Sequence, residues 1–314
     1  MSSRRITSNA RRSAGHENPL GLPRTGSVPM MQRGLPAKRK IPHVRQVIVV
    51  ASGKGGVGKS TVAVNLALAL SRTSEGNKPK RVGLLDLDIF GPSVPKLMAL
   101  ERVGAPHTTP QGALIPLINH GIPCMSMGFL LPIPAGSDDN SDTPIVWRGM
   151  MVMKAVQQLL FDVDWRMQND DLDLLVIDTP PGTGDVHLSL SQLVYIDGAI
   201  IVSTPQDVAI VDARKGVAMF RKVGVPILGG VLNMSHFVCP GSPDEPHYIF
   251  GTDERFQTVS KKIGMQVLAK IPIEAKTSSD GDAGHPTVLS TSASIVKDAF
   301  VGLARIVASR LESA

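Results

Sequence analysis

Val47-Ile-Val-Val-Ala-Ser-Gly-Lys-Gly-Gly-Val-Gly-Lys-Ser-Thr61 decides the fold of this 314-residue chain. Four β-branched residues, Val47 to Val50, predict a buried strand, and a glycine-rich turn follows at once. A helical pattern begins at Lys59 and carries on through Asn65, Leu66, Leu68 and Leu70. Strand, glycine loop and helix together form the context in which a phosphate-binding loop works. Gly53, Gly58, Lys59 and Ser60 fill the G-x-x-x-x-G-K-[ST] spacing, with Gly55, Gly56, Val57 and Thr61 completing the cradle. The glycines let successive N–H groups converge on phosphate oxygens, and the helix N-terminus adds its positive dipole end. Lys59 is placed for the β- and γ-phosphates and the Ser60 hydroxyl for Mg²⁺. A plain turn joining strand to helix does not need this spacing with both flanks correct. Lys54 is a second cation that a nucleotide already neutralised by Lys59 and Mg²⁺ does not require. It is free to point outward, toward phosphates held by a second copy of the chain.

Charge divides the chain. Residues 1–45 hold ten of the 33 Lys and Arg residues and one of the 27 acids, Glu17, so residues 46–314 carry 23 basic against 26 acidic groups. The whole-chain charge of +6 therefore belongs to the basic head. A slightly acidic domain lacks the electrostatic footprint of a nucleic-acid binder. The head is rich in Arg, Ser, Gly and Pro and has no apolar run, which excludes a secretory signal and fits a mitochondrial transit peptide. An untargeted basic tail is the competing reading, since Pro19, Pro23 and Pro29 confine any helix to its start. The expected division is a tail over 1–45 and an ATPase domain over 46–314. Two cysteines, Cys124 and Cys239, exclude a disulfide framework and suit a reducing compartment. No apolar run reaches transmembrane length.

Further buried strands are predicted at Arg81 to Asp86, Ile122 to Met125, Leu172 to Asp178, Ala199 to Ser203, Ile227 to Leu232 and Gln266 to Ala269. Helices are predicted over Met150 to Phe161, over about Val208 to Lys222, and at the end, where Ile295, Ala299, Phe300, Leu303, Ile306, Val307 and Leu311 recur at helical spacing. Alternation of strands and helices argues an α/β fold, a doubly wound, mostly parallel sheet covered on both faces. The acidic run Asp138 to Asp142 reads as a solvated loop, and Met150, Met151 and Met153 as helix packing.

Asp178 ends an apolar strand as a Walker B aspartate does, placed for Mg²⁺ directly or through water. The following Thr179-Pro-Pro-Gly-Thr-Gly-Asp185 lets backbone approach a γ-phosphate. Asp86 and Asp88 close another strand where open α/β sheets bind ligands. One can assist the metal and the other orient water, or Asp88 can be a loop or capping acid. Asn233 has an amide suited to an adenine edge, with an ordinary turn as the alternative.

The run from Gly53 to Thr61 resembles the deviant Walker A motif of the MinD/ParA/nitrogenase-iron-protein class of P-loop NTPases. That resemblance implies a nucleotide-dependent homodimer in which Lys54 completes the partner's site, and it assigns the water to Asp88. Asp88-Ile-Phe-Gly-Pro-Ser93, Trp147-Arg-Gly149, Val231-Leu-Asn-Met-Ser235 and Phe250-Gly251 resemble the Mrp/Nbp-type iron–sulfur ATPases. Asn18-Pro-Leu-Gly-Leu-Pro23 and Gln32-Arg-Gly-Leu-Pro36 are similar to the mitochondrial, nucleotide-binding-protein-like branch that serves respiratory complex I. The resemblance implies an ATP hydrolase of slow turnover in the mitochondrial matrix. It would carry a [4Fe–4S] cluster between two subunits and pass it to apo-proteins, complex I subunits among them.

One departure stands out. The family has Cys-x-x-Cys where this chain has Cys239-Pro-Gly-Ser242. Four thiolates at a dimer interface suit a bridging cubane, and one cysteine per subunit supplies two. Ser242, His236 and His247 are the nearby substitutes, while Cys124 reads as a buried residue. Two other readings stay open: an ATP-switched assembly chaperone without a cluster, and a MinD/ParA-like positioning ATPase on membrane or DNA.

Overall fold

The computed structural model describes residues 37–75, 78–130, 149–239 and 242–313. The chain runs through β1 (Val44–Ser52), α1 (Lys59–Leu70), the small hairpin β2 (Ser74–Glu75) and β3 (Lys78–Pro79), then β4 (Val82–Asp86) and α2 (Val94–Leu97). It continues with β5 (Leu117–Asn119), β6 (Ile122–Ser126), α3 (Gly149–Phe161), β7 (Leu172–Asp178), α4 (Asp185–Leu193), β8 (Gly198–Ser203) and α5 (Asp207–Lys222). The remaining elements are β9 (Ile227–Cys239), β10 (Ser242–His247), α6 (Glu254–Lys262), β11 (Val267–Ile273), α7 (Ala275–Asp282) and α8 (Ile295–Glu312).

One sheet takes the order β10-β9-β8-β1-β7-β4-β6-β5, with β11 also paired to β9. Its strands are parallel except where β10 folds back on β9 and β5 on β6. β1 is buried on both faces, as the unbroken apolar run requires of a central parallel strand. Ile48 and Val50 enter the core shared with α1 and α8, while Val47, Val49 and Ala51 enter the opposite core with α3 and α5. Parallel register sets Val50 beside Asp178 and Asp86 beside Asp178, so three strand ends arrive together at one edge of the sheet.

Ten of the twelve residues of α1 are buried, so this helix has no polar face. It lies between the sheet and α8, and a helix apolar all round is stable only when enclosed in this way. Asn65 fits there because its amide is satisfied: Nδ2 donates to Thr61 O (2.9 Å) and Oδ1 accepts from Val288 N (3.0 Å).

Several expectations need adjustment. The folded unit begins before residue 46. Ile41 is buried, and the Arg39 guanidinium lies 3.5 Å from the centre of the Phe161 ring. Basic side chains in this stretch hid a packing role that arginine performs through its flat face. β9 runs to Cys239, well past the expected Leu232, because β11 and β10 provide partners for its second half. Met150 and Met151 are exposed, and the packing of α3 falls instead to Val156, Leu159 and Leu160. The acidic run 138–142, Trp147, Arg148 and the head segments 18–23 and 32–36 lie outside the described residues.

Leu68 is fully buried in α1. Leu68→Ala is expected to cost roughly 2–5 kcal/mol. Guanidinium denaturation should show a lowered midpoint with an unchanged slope.

Candidate nucleotide site

The loop between β1 and α1 adopts the shape its glycines permit. Gly56 and Gly58 take left-handed φ values of 78° and 79°, which side chains rarely tolerate. Gly53 packs against the main chain of α5: an added Cβ would lie 2.2 Å from the Asp212 carbonyl carbon. A Cβ on Gly58 would lie 2.3 Å from Asn233 Nδ2. The loop is thus sealed from behind by two separate elements. In front it lines a cavity of about 530 Å³, together with Asp88, Pro181 and Asp282. A larger cavity of about 970 Å³ between α6 and β11 contains none of the motif residues.

Lys59 is buried and holds the centre of the site. Its ammonium lies 2.5 Å from Asp178 Oδ1, 3.2 Å from Ser60 Oγ and 3.9 Å from Asp88 Oδ2. Burial raises the Asp178 pKa, while the charge of Lys59 pulls it down. The second Asp178 oxygen is buried and without a hydrogen-bond partner. An unpartnered carboxylate oxygen with a serine hydroxyl close by is a donor set that fits Mg²⁺. Lys54 is exposed and lines the mouth of the cavity, while its carbonyl is held by Ser52 Oγ (2.9 Å). The main chain is fixed there and the side chain is exposed.

Asp86 and Asp88 sit in different environments. Asp86 is completely buried, and its two oxygens accept from Asp88 N (2.9 Å), Val94 N (3.2 Å) and Ser126 Oγ (3.1 Å). Desolvation, aided by the charge of Asp178, pushes its pKa up to about 7. These bonds give Asp86 a scaffolding task that spacing alone did not show: it pins the loop that carries Asp88. Asp88 Oδ1 accepts from Phe90 N (3.2 Å), as a loop acid does, while Oδ2 lies 3.9 Å from the Lys59 ammonium.

Asn233 Nδ2 donates to Val57 O (2.8 Å) across a separation of 176 residues. One amide hydrogen thus braces the phosphate loop. Six residues along β9 stands Cys239, half-buried, with Ser242 as its register partner on β10. His247 pairs with Phe237, which places it on the strand face that carries Cys239. His236 lies on the other face, bonded to Ser235 Oγ (3.0 Å) with its ring 6.2 Å from that of Tyr248. Cys124 is fully buried and its thiol pKa is raised by desolvation, so it stands apart from this group. Among the described residues no three His, Cys, Asp or Glu side chains converge as a metal site.

His187 is a site residue that sequence reading passed over. It is buried in the first turn of α4, and its Nε2 lies 3.0 Å from Thr179 Oγ1, directly behind Asp178. A lone histidine without ligand spacing gives no signal, although its place just after the glycine-rich loop was visible.

Residues 43–308 match the family model described as the NUBPL iron-transfer P-loop NTPase, of the ParA type. The mouse iron–sulfur cluster transfer protein NUBPL is 50% identical over 284 residues, covering 90% of this chain and 83% of that protein. The chain belongs to the NUBPL family. The Arabidopsis thaliana iron–sulfur protein required for NADH dehydrogenase, mitochondrial, is 46% identical over 279 residues, with 89% and 83% of the two chains covered. A nucleotide-binding protein of Archaeoglobus fulgidus, solved in complex with ADP, superposes with a TM-score of 0.63 at 33% identity, covering 78% of this chain and 89% of that one. The Pyrococcus furiosus cell-division ATPase MinD, at 21% identity and a TM-score of 0.57 with 84% and 99% covered, shares the fold. Membership of this family makes the glycine loop that of a P-loop NTPase and bears out the doubly wound α/β reading.

Asp86 yields a pH test. Its pKa is about 7 folded against 3.8 ordinarily, so the folded state binds the proton more tightly. Its contribution to stability is therefore greatest at low pH and declines as pH rises from about 4 to about 7. Denaturation midpoints of the nucleotide-free protein across this window should carry that decline. Asp86→Asn should remove it, at some loss of absolute stability because one loop N–H loses its acceptor.

Proposed function

We propose that the chain is an ATP-dependent iron–sulfur cluster carrier that delivers [4Fe–4S] clusters to apo-proteins, with respiratory complex I subunits as clients in the mitochondrial matrix. The observation that carries this reading is the path of β9. One strand braces the phosphate loop through Asn233 and then presents Cys239, about 20 Å further along at strand rise. A nucleotide-driven shift of the loop therefore acts on the element that bears the thiol. The names of the mouse and Arabidopsis relatives support the cargo, the client and the compartment.

In this reading Gly53 to Thr61 cradle the phosphates of ATP, and Lys59 leaves Asp178 to neutralise the β- and γ-phosphates. Ser60 and Asp178 would hold Mg²⁺, with Asp86 fixing the neighbouring loop. The bound ion supplies charge stabilisation for the phosphates. Asp88 Oδ2 orients the attacking water, and the Asn233 carbonyl oxygen meets the adenine amino group while its N–H stays on Val57. Lys54 crosses to the nucleotide of a second copy, which makes the active species a homodimer. Hydrolysis then relaxes the loop after Asp178.

The cluster is cargo held at the same dimer interface. Cys239 from each subunit anchors it, and His247, which shares the face of Cys239, completes the ligand set. A single thiol per subunit also favours a second reading, an ATP-switched assembly chaperone that carries no cluster. Positioning on DNA or membrane has little support: residues 46–314 are slightly acidic, and α8 buries its apolar stripe in the core.

Anaerobic reconstitution with iron and sulfide separates the two main readings. The carrier reading expects about four irons per dimer, lost in Cys239→Ser and retained in Cys124→Ser. A wild-type protein without iron sinks the carrier and leaves the chaperone. In parallel, Lys54→Ala should retain ADP binding while its ATPase rate falls by about a hundredfold or more, the scale seen when a transition-state cation is removed.

A further inference from the structure

In the ATPase reading above, the loop from Thr179 to Asp185 changes with the state of the nucleotide, and the structure ties its two ends to each other. At its start, Thr179 is fully buried, and its hydroxyl donates to Val50 O (3.0 Å) while its amide N–H donates to the same carbonyl (3.2 Å). The single hydroxyl proton is thereby spent, so Thr179 Oγ1 can only accept from His187. That makes His187 the Nε2–H tautomer, with the donor at 3.0 Å. His187 sits two residues into α4, the helix that begins where the loop ends. Its amide N–H donates back to Gly184 O (3.1 Å). The loop is thus closed into a ring by a side chain, and Gly182 N, donating to Ser52 O (2.8 Å), holds its middle against the phosphate loop.

The other face of His187 is less complete. Nδ1 is buried with no hydrogen-bond partner, and the ring stands edge-on to Phe220 of α5, 5.9 Å between centres. Burial drives the imidazole pKa down to about 4, with the charge of Lys59 acting in the same direction, so the ring is neutral near pH 7. A purely apolar filler would suit the Phe220 contact better and would leave no orphan nitrogen. The one thing histidine supplies here is the N–H aimed at Thr179.

We propose that His187 is a positioning residue for ATP hydrolysis, holding Thr179, and through it the backbone after Asp178, in the geometry that hydrolysis requires. This rests on the ATPase reading above. By the same link, any movement of the loop on phosphate release moves the first turn of α4, so His187 transmits the nucleotide state to the outer helix layer.

The test compares His187→Phe, which keeps ring packing and removes the N–H, with His187→Gln, whose side-chain amide restores a donor. The expected result for His187→Phe is a kcat lower by about tenfold, the scale of one lost hydrogen bond, with KM and ADP affinity held within about threefold. His187→Gln is expected to recover most of the rate. Amide hydrogen exchange at Gly182 should be faster in His187→Phe and normal in His187→Gln. Wild-type kcat together with wild-type exchange at Gly182 in His187→Phe overturns the proposal, as does an equal loss in both variants. Thr179→Val removes the same bond from its other end, together with the hydroxyl's bond to Val50 O, and should show at least the His187→Phe defect; wild-type kcat and exchange in Thr179→Val also overturns the proposal, which keeps the test decisive if His187→Phe fails to fold. A wild-type protein that binds ATP without hydrolysing it would defeat the ATPase reading instead. The exchange comparison would then still decide whether His187 fastens the loop.

Discussion

The buried pair of Lys59 and Asp178 is the constraint around which this domain is arranged. Two opposite charges out of water are tolerable only with close geometry and further polar contacts. The fold supplies these from three strand ends, a glycine loop and the first turn of a helix. Parallel pairing brings Val50, Asp86 and Asp178 into line, and the loop after β1 then has one direction in which to deliver Lys59. The ammonium lies 2.5 Å from the aspartate. In the reading proposed above, a phosphate competes with that contact and the lysine exchanges one ionic partner for another.

Around this pair, the main chain is fixed by residues outside the glycine-loop motif. Asn233 holds Val57, Asp86 holds the loop of Asp88, Ser52 holds the carbonyl of Lys54, and Asp212 backs Gly53. Each support comes from a different element. The rigidity of the site therefore depends on the whole sheet rather than on the motif, which explains how a loop of small residues keeps one shape.

Much of this was legible in the sequence because the signals are local. Apolar runs marked β1, β4 and β7, the last two ending in acids, and the glycine spacing marked the phosphate loop with its lysine and serine. The closing helix followed from apolar periodicity alone. What escaped reading depends on contacts between distant segments. Asn233 presents the same amide to an adenine or to Val57, and only the register of β9 shows that one hydrogen is already engaged. The mixed run from Met234 to Cys239 has no clean alternation, and its strand character shows only when β10 and β11 are placed beside it. α7 has no apolar stripe to announce it, and His187 has no neighbour in sequence that hints at Thr179. Met150 and Met151 misled for the opposite reason, since their apolar character suggested burial that α3 achieves with other residues.

The apolar envelope of α1 has a consequence for how the chain reaches its native state. α1 is made early, yet the surface that encloses it belongs partly to α8, which lies far downstream. Contacts of such long sequence separation form late and raise the loop-closure cost of folding. Until α8 arrives, Leu66, Leu68 and Leu70 have no partner on one side, and the incomplete chain exposes an adhesive rod. A nascent chain is therefore a natural client of holding chaperones, and α8 acts as the latch whose docking ends that dependence.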